Sequence, residues 1–127
     1  MAPRVALLVP VLVALLLVTQ VEARWVRVGS NFLNPWRYGV EKWKQPTVIV
    51  GDELIFRWFG FRNLRQFQDP VSYTACNFNL ALNLHPTQFV GFFRYPVPSS
   101  DRYTTLYFAS NNNDDCQRGI KAKITIS

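Results

Sequence analysis

One histidine, two cysteines and seven carboxylates bound the chemistry open to residues 24–127 of this chain. His85 stands alone in "NLHPT", with no serine or cysteine marked as its partner. A nucleophile–histidine site would have to be built on it, and a loop histidine beside proline reads as solvated. A glycosidase needs two positioned carboxylates. Glu41, Asp52, Glu53, Asp69, Asp101, Asp114 and Asp115 include no motif that separates a catalytic pair from surface acids. Asp114-Asp115 offers hard oxygen donors of the kind calcium takes, but lacks the spaced further ligands such a site uses. The expectation is a protein that is not an enzyme, with no cofactor and no metal.

Binding has more support. "FLNPWRYGVEKWK" and "RWFGFRNLRQF" interleave Phe, Trp and Tyr with Arg and Lys. Aromatic faces stack on sugar rings, and guanidinium and ammonium groups pair with uronate carboxylates through charge-assisted hydrogen bonds. The candidate binding residues are Trp36, Arg37, Lys42, Lys44, Arg62 and Arg65. The formal charge is +6, and Arg4 and Glu22 cancel, so residues 24–127 carry the whole excess. A basic secreted protein meets acidic polysaccharide or a cell-surface glycoprotein rather than nucleic acid. The competing reading is that the charge serves solubility and the aromatics pack the core and its rim.

These residues must be positioned by a small domain. "MAPRVALLVPVLVALLLVTQVEA" has an early Arg4, a long apolar run and a small Ala23, the layout of a signal peptide cleaved after residue 23. A transmembrane anchor is the alternative, but the run is near the lower limit for a span and Pro10 interrupts it. Residues 24–127 would then be the secreted, extracellular chain, in apoplast or cell wall, with no membrane anchor and as a monomer. No hydrophobic tail follows the last strand, which argues against a glycolipid anchor. Cys76 and Cys116 would pair in that oxidising compartment. Closing a loop of that length is worth about 4 kcal/mol in the chain-entropy model.

The element pattern is all-β. "RWVRV" reads as a strand, "TVIVGDELIFRWF" as two strands turning at Gly51-Asp52, and "RNLRQFQ" as a separate one. "DPVSYTACN" fits one helical turn, with Asp69 as N-cap and Pro70 in first position. "FNLALNLHPT" reads as loop. "QFVGFFRYPV" and "RYTTLYFAS" read as strands around a "PSSD" turn. The final strand alternates, with Ile120, Ala122, Ile124 and Ile126 on one side and Lys121, Lys123 and Thr125 on the other. Before it lies a polar loop, "SNNNDDCQRG".

"VGDELIFRW", "RNL", "YTACN" and "YFASNNNDDCQRGIK" together resemble a plant phytocyanin domain over nearly all of residues 24–127. The resemblance implies a cupredoxin-like Greek-key β-sandwich with one or two short helical turns and one disulfide, Cys76–Cys116. In that family a type 1 copper is held by two His, a Cys and an axial Met or Gln. Carried over, those positions fall at Arg62, Ser110, Asp115 and Ile120, none of which matches. A blue-copper site needs two imidazoles and a thiolate, and residues 24–127 have a single His, no Met and only the disulfide pair of Cys. The implied protein is an early nodulin-like or plantacyanin-like member that has lost copper and acts in surface binding or signalling. The alternative is electron transfer, as the family name implies. At the vacated positions the expectation is an Arg62–Asp115 ion pair or shared water, with Ser110 nearby.

Overall fold

The computed structural model describes residues 24–127; the segment read as a signal peptide, 1–23, lies outside them. Five strands and one short helix follow in order: β1 Trp25–Arg27, β2 Glu53–Phe67, helix α1 Pro70–Ala75, β3 Leu82–Pro96, β4 Thr105–Ala109 and β5 Lys121–Thr125. Single 3-10 turns lie at Val40–Lys42 and Ser99–Asp101. The order along the sheet is β1-β2-β4-β5, with β3 also on β2. β2 makes this possible by its length. Its first part pairs with β1 in parallel and with β3 antiparallel, and its last part pairs with β3 and β4. The sheet therefore curls, and its inner faces meet in a main core, with a smaller cluster of Phe67, Tyr73, Ala109 and Cys116 at the disulfide.

That core follows from period-two alternation. Leu54, Phe56 and Trp58 of β2 point inward, as do Leu106 and Phe108 of β4 and Ala122 and Ile124 of β5. Phe56 lies edge-on to Trp36, with ring centroids 5.2 Å apart, and 4.8 Å from Phe108. Ile120 and Ile126 are buried with them, as the alternation of the last strand requires.

Three segments differ from the expectation. The "TVIV" strand is reduced to one parallel bridge between Val48 and Ile126. Asp52 ends it: its Oδ2 accepts from the Ile49 N–H at 3.0 Å and from Arg24 at 2.9 Å, closing a turn instead of a ladder. "ELIFRWF" and "RNLRQF" are one strand, kept continuous by a register shift between Phe59 and Arg62. The supposed loop "LNLHPT" is the start of β3, where Leu82, Asn83 and His85 pair with Gln66, Arg65 and Leu64. An edge strand tolerates Asn and Pro that a central strand would not.

Helix α1 forms as its sequence dictates. The Asp69 carboxylate accepts from the Ser72 N–H at 2.7 Å and from the Ser72 hydroxyl at 2.9 Å, and Pro70 fills the first turn. The Ser72 hydrogen bonds hold the Asp69 carboxyl below its ordinary range. The helix ends at Cys76 in left-handed conformation (φ 52°), which is bonded to Cys116. The disulfide thus ties the helix end to the end of the polar loop.

Candidate functional site

The polar loop closes on Asn63. Four residues after Phe59, this side chain is turned into the protein by the register shift and is buried beside buried Leu64. Its amide N–H2 donates to Asn111 Oδ1 at 2.6 Å and to Thr87 Oγ1 at 3.0 Å. Its Oδ1 accepts from the Asn111 N–H at 2.8 Å, and its carbonyl accepts from the Trp36 indole at 3.1 Å. Its backbone N–H donates to the Ser110 hydroxyl at 3.1 Å. One residue therefore joins β2, β3, the loop and the 31–38 segment. Asn112 adds a bond from its amide to the Phe61 carbonyl at 2.7 Å.

Ser110 passes the contact on. Its hydroxyl donates to Asp115 Oδ2 at 2.8 Å, with both residues buried. The Ile120 N–H donates to the Asp115 carbonyl at 2.9 Å, and the Ser110 N–H to the Ile120 carbonyl at 3.0 Å. So Ser110, Asp115 and Ile120 meet. Burial pushes the Asp115 carboxyl above its ordinary range, against the pull of the Ser110 hydroxyl, the Arg62 charge and the Tyr38 hydroxyl; the Asp114 charge adds to the rise.

Arg62 does not complete the expected ion pair. No salt bridge among the described residues joins it to Asp115. The register shift folds its guanidinium back onto the Phe59 carbonyl. Gly60 makes the space: at φ 99° it carries no Cβ, and one there would lie 2.5 Å from Arg62 Nη1.

The guanidinium of Arg62 instead covers the Tyr38 ring, 5.3 Å from its centroid. Arg118, from the polar loop, covers the same ring at 4.4 Å and reaches its hydroxyl at 3.5 Å. Tyr38 also lines a cleft of about 310 Å³ with Arg37, Lys42, Ser30, Asn31 and Trp43. The fold thus brings Arg62 of the sequence candidates onto one tyrosine, places Arg37 and Lys42 in the cleft that this tyrosine lines, and adds Arg118. It does not add the others. Trp36 is fully buried, packed on Phe56 with its N–H spent on Asn63, so it cannot stack on a ligand. Arg65 lies over Phe78 and donates to the Ala81 carbonyl, against the smaller core around the disulfide. Lys44 is exposed but does not line the cleft. His85 sits edge-on to Trp58 at 4.9 Å, with Nδ1 on the Pro86 carbonyl at 2.7 Å.

Sequence reasoning missed Asn63, Tyr38 and Arg118. Asn63 carried a signal, because a lone amide beside Leu64 in an aromatic strand needs partners if buried. Tyr38 and Arg118 carried none, being 80 residues apart.

The donors at this end of the fold do not fit a type 1 copper. They are a hydroxyl, a carboxylate and an amide, whereas that metal takes imidazoles and a thiolate. Both cysteines are in the disulfide. Among the described residues no group of three or more His, Cys, Asp or Glu side chains is placed to hold a metal ion.

No family model matches the sequence, and no curated protein matches it. Solved structures do. The chain is similar to cucumber basic protein, a blue copper protein, at 22% identity and TM-score 0.63, over 81% of this chain and 99% of that one. It is similar to cucumber stellacyanin, a Cu2+ form, at 21% and 0.63, over 82% and 96%. It is similar to spinach plantacyanin at 21% and 0.59, over 81% and 99%. The described chain has the cupredoxin fold of these phytocyanins, with one disulfide and few helices.

Proposed function

We propose that this chain is a secreted, non-redox binding module on a phytocyanin fold, taking an acidic polysaccharide at the Tyr38 surface. The observation that carries the reading is the double cover of Tyr38 by Arg62 and Arg118, beside a cleft lined by Arg37 and Lys42. Cationic groups held around one aromatic ring suit a ligand with repeated carboxylates. Secretion is supported by the composition of residues 1–23, and the +6 charge favours a polyanion. In this reading Arg62, Ser110, Asp115 and Ile120 occupy vacated copper positions, and the hydrogen bonds of Ser110, Asp115 and Ile120, with that of Asn63 to Ser110, replace the metal as the closure of the loop.

Retention on immobilised polygalacturonate tests the reading. Binding should fall steeply from low to physiological ionic strength as the charges are screened. Arg62→Ala with Arg118→Ala should weaken it further, while Arg65→Ala should not. Retention that ignores salt, or none at low salt, would leave the charge as a solubility feature. Copper(II) titration tests the electron-transfer alternative: an intense visible charge-transfer band would restore it.

A further inference from the structure

β3 pairs with β2 alone; among the described residues nothing pairs with its other edge. The Val97 N–H donates to the Asp52 carbonyl at 2.9 Å, in line with the β2–β3 register. By alternation, Tyr95, Phe93 and Gly91 turn their backbone groups to β2. Arg94, Phe92 and Val90 then turn theirs to the open edge. The same residues point their side chains away from the core, where Val90 is 58% and Phe92 47% exposed. Soluble sheets protect such an edge with charge, proline or a covering element. Here Pro86 and Pro96 lie outside the stretch 87–95, and its single charge, Arg94, is engaged by Glu53 through two bonds of 3.0 and 2.9 Å.

We infer that this edge pairs with the β3 edge of a second copy of the chain, antiparallel about a two-fold axis at Phe92. The stretch is self-complementary in that register. Phe92 faces Phe92 of the partner subunit, and Val90 faces the partner's Arg94. Phe89 faces the partner's Tyr95 on the inner side. The outward backbone groups of Val90, Phe92 and Arg94 are all satisfied across the junction, and two aromatic rings meet at its centre. The two Arg94 side chains stay about 14 Å apart, four strand residues, so no like charges stand opposite each other. An isologous contact needs such a patch that matches itself. A foreign extended peptide would need no such match, and the match is what favours a second copy. The pairing is independent of the Tyr38 surface, and its salt response is opposite. Each copy carries +6, so screening should strengthen self-association while it weakens polyanion binding.

Sedimentation equilibrium of the protein at low and physiological salt should show a monomer–dimer equilibrium that tightens with salt. Phe92→Lys sets like charges opposite each other at the axis and should weaken dimerisation by about tenfold or more, with an unchanged circular dichroism spectrum. Phe92→Cys should cross-link to a dimer under oxidation faster than Val71→Cys, which lies 75% exposed on α1. A monomer at every concentration overturns the inference. So does a dimer that Phe92→Lys leaves intact, or cross-linking no faster at 92 than at 71.

Discussion

Replacing Asp115 by Asn or by Ala separates its two roles, as hydrogen-bond acceptor and as buried charge. Asp115 is 3% exposed, and its Oδ2 is the acceptor for the fully buried Ser110 hydroxyl at 2.8 Å. Asp115→Ala leaves that hydroxyl without a partner, which costs about 1–3 kcal/mol for a buried donor. It also breaks the path from Asn63 through Ser110 to the loop end. Asp115→Asn keeps an acceptor oxygen in place, and its new amide group can turn to the Tyr38 hydroxyl. Its cost at neutral pH should therefore be within about 1 kcal/mol of zero, since the lost bond to a charged acceptor is offset by the relief of burying one. The pH dependence has a definite sign. Burial raises the folded-state carboxyl above the unfolded one. Folding then takes up a proton between those two values, so the contribution of Asp115 is fully present below the unfolded value and is lost as pH rises through the folded one. The stability of Asp115→Asn relative to the parent should therefore increase with rising pH through that window and level off above it. Urea unfolding of parent, Asn and Ala variants across the acid range would show it. Equal costs for Asn and Ala, or an Asn variant that gains relative stability as pH falls, would refute the account of Asp115 as a buried charge held by one hydroxyl.

Two further outcomes follow from packing and covalent closure. Gly91→Ala should destabilise by about 1–3 kcal/mol in the same urea assay, because a Cβ there overlaps the buried Trp58 ring rather than a flexible side-chain end; a neutral effect would mean that β3 is not seated against Trp58. Cys76→Ala with Cys116→Ala should lower stability by about 2–5 kcal/mol, and the loss should appear in thermal melts of the reduced parent as well; an unchanged melting temperature on reduction would count against a structural role.

Legibility in the sequence tracked the range of the interaction that decides each element. α1 was legible because all of its determinants lie within eight residues: Asp69, Pro70, Ser72 and the left-handed Cys76. β5 was legible because one face of it is buried and the other is not. The first half of β3 was not, because its pairing to residues 64–66 overrides local Asn and Pro content that reads as loop. The inventory of His, Cys and Met spoke against copper without any structure. The arrangement of what stands there instead was legible only in part. Ser110 and Asp115 are five residues apart and were expected together. The direct ion pair expected between Arg62 and Asp115 does not form, because a bulge and a glycine redirect the guanidinium in a way no pattern of polarity reveals. Trp36 read as a surface aromatic because burial of an aromatic depends on what folds over it.

The base of the polar loop is buried at Ser110 and Asp115, and buried polar groups outside regular structure persist only if they are paired, since a half-satisfied network is worse than an apolar one. Here the pairing converges on Asn63, which serves Ser110, Asn111, Thr87 and Trp36 together. Cys116 then fixes the far end of the loop to α1, and the Arg118 N–H donates to the Asp114 carbonyl at 3.0 Å. Arg118 is thus presented from a base held by hydrogen bonds on one side and a covalent bond on the other. Arg62 is presented from the strand that carries Asn63. Both guanidinium groups reach Tyr38 from supports that are already ordered. A polyanion meeting them would find the charges in place, and the ordering of long side chains that usually opposes such contacts would be small. The hydrogen bonds that close the loop therefore also set the geometry of the basic surface above it. A substitution at Asn63 would disturb that surface without touching a ligand.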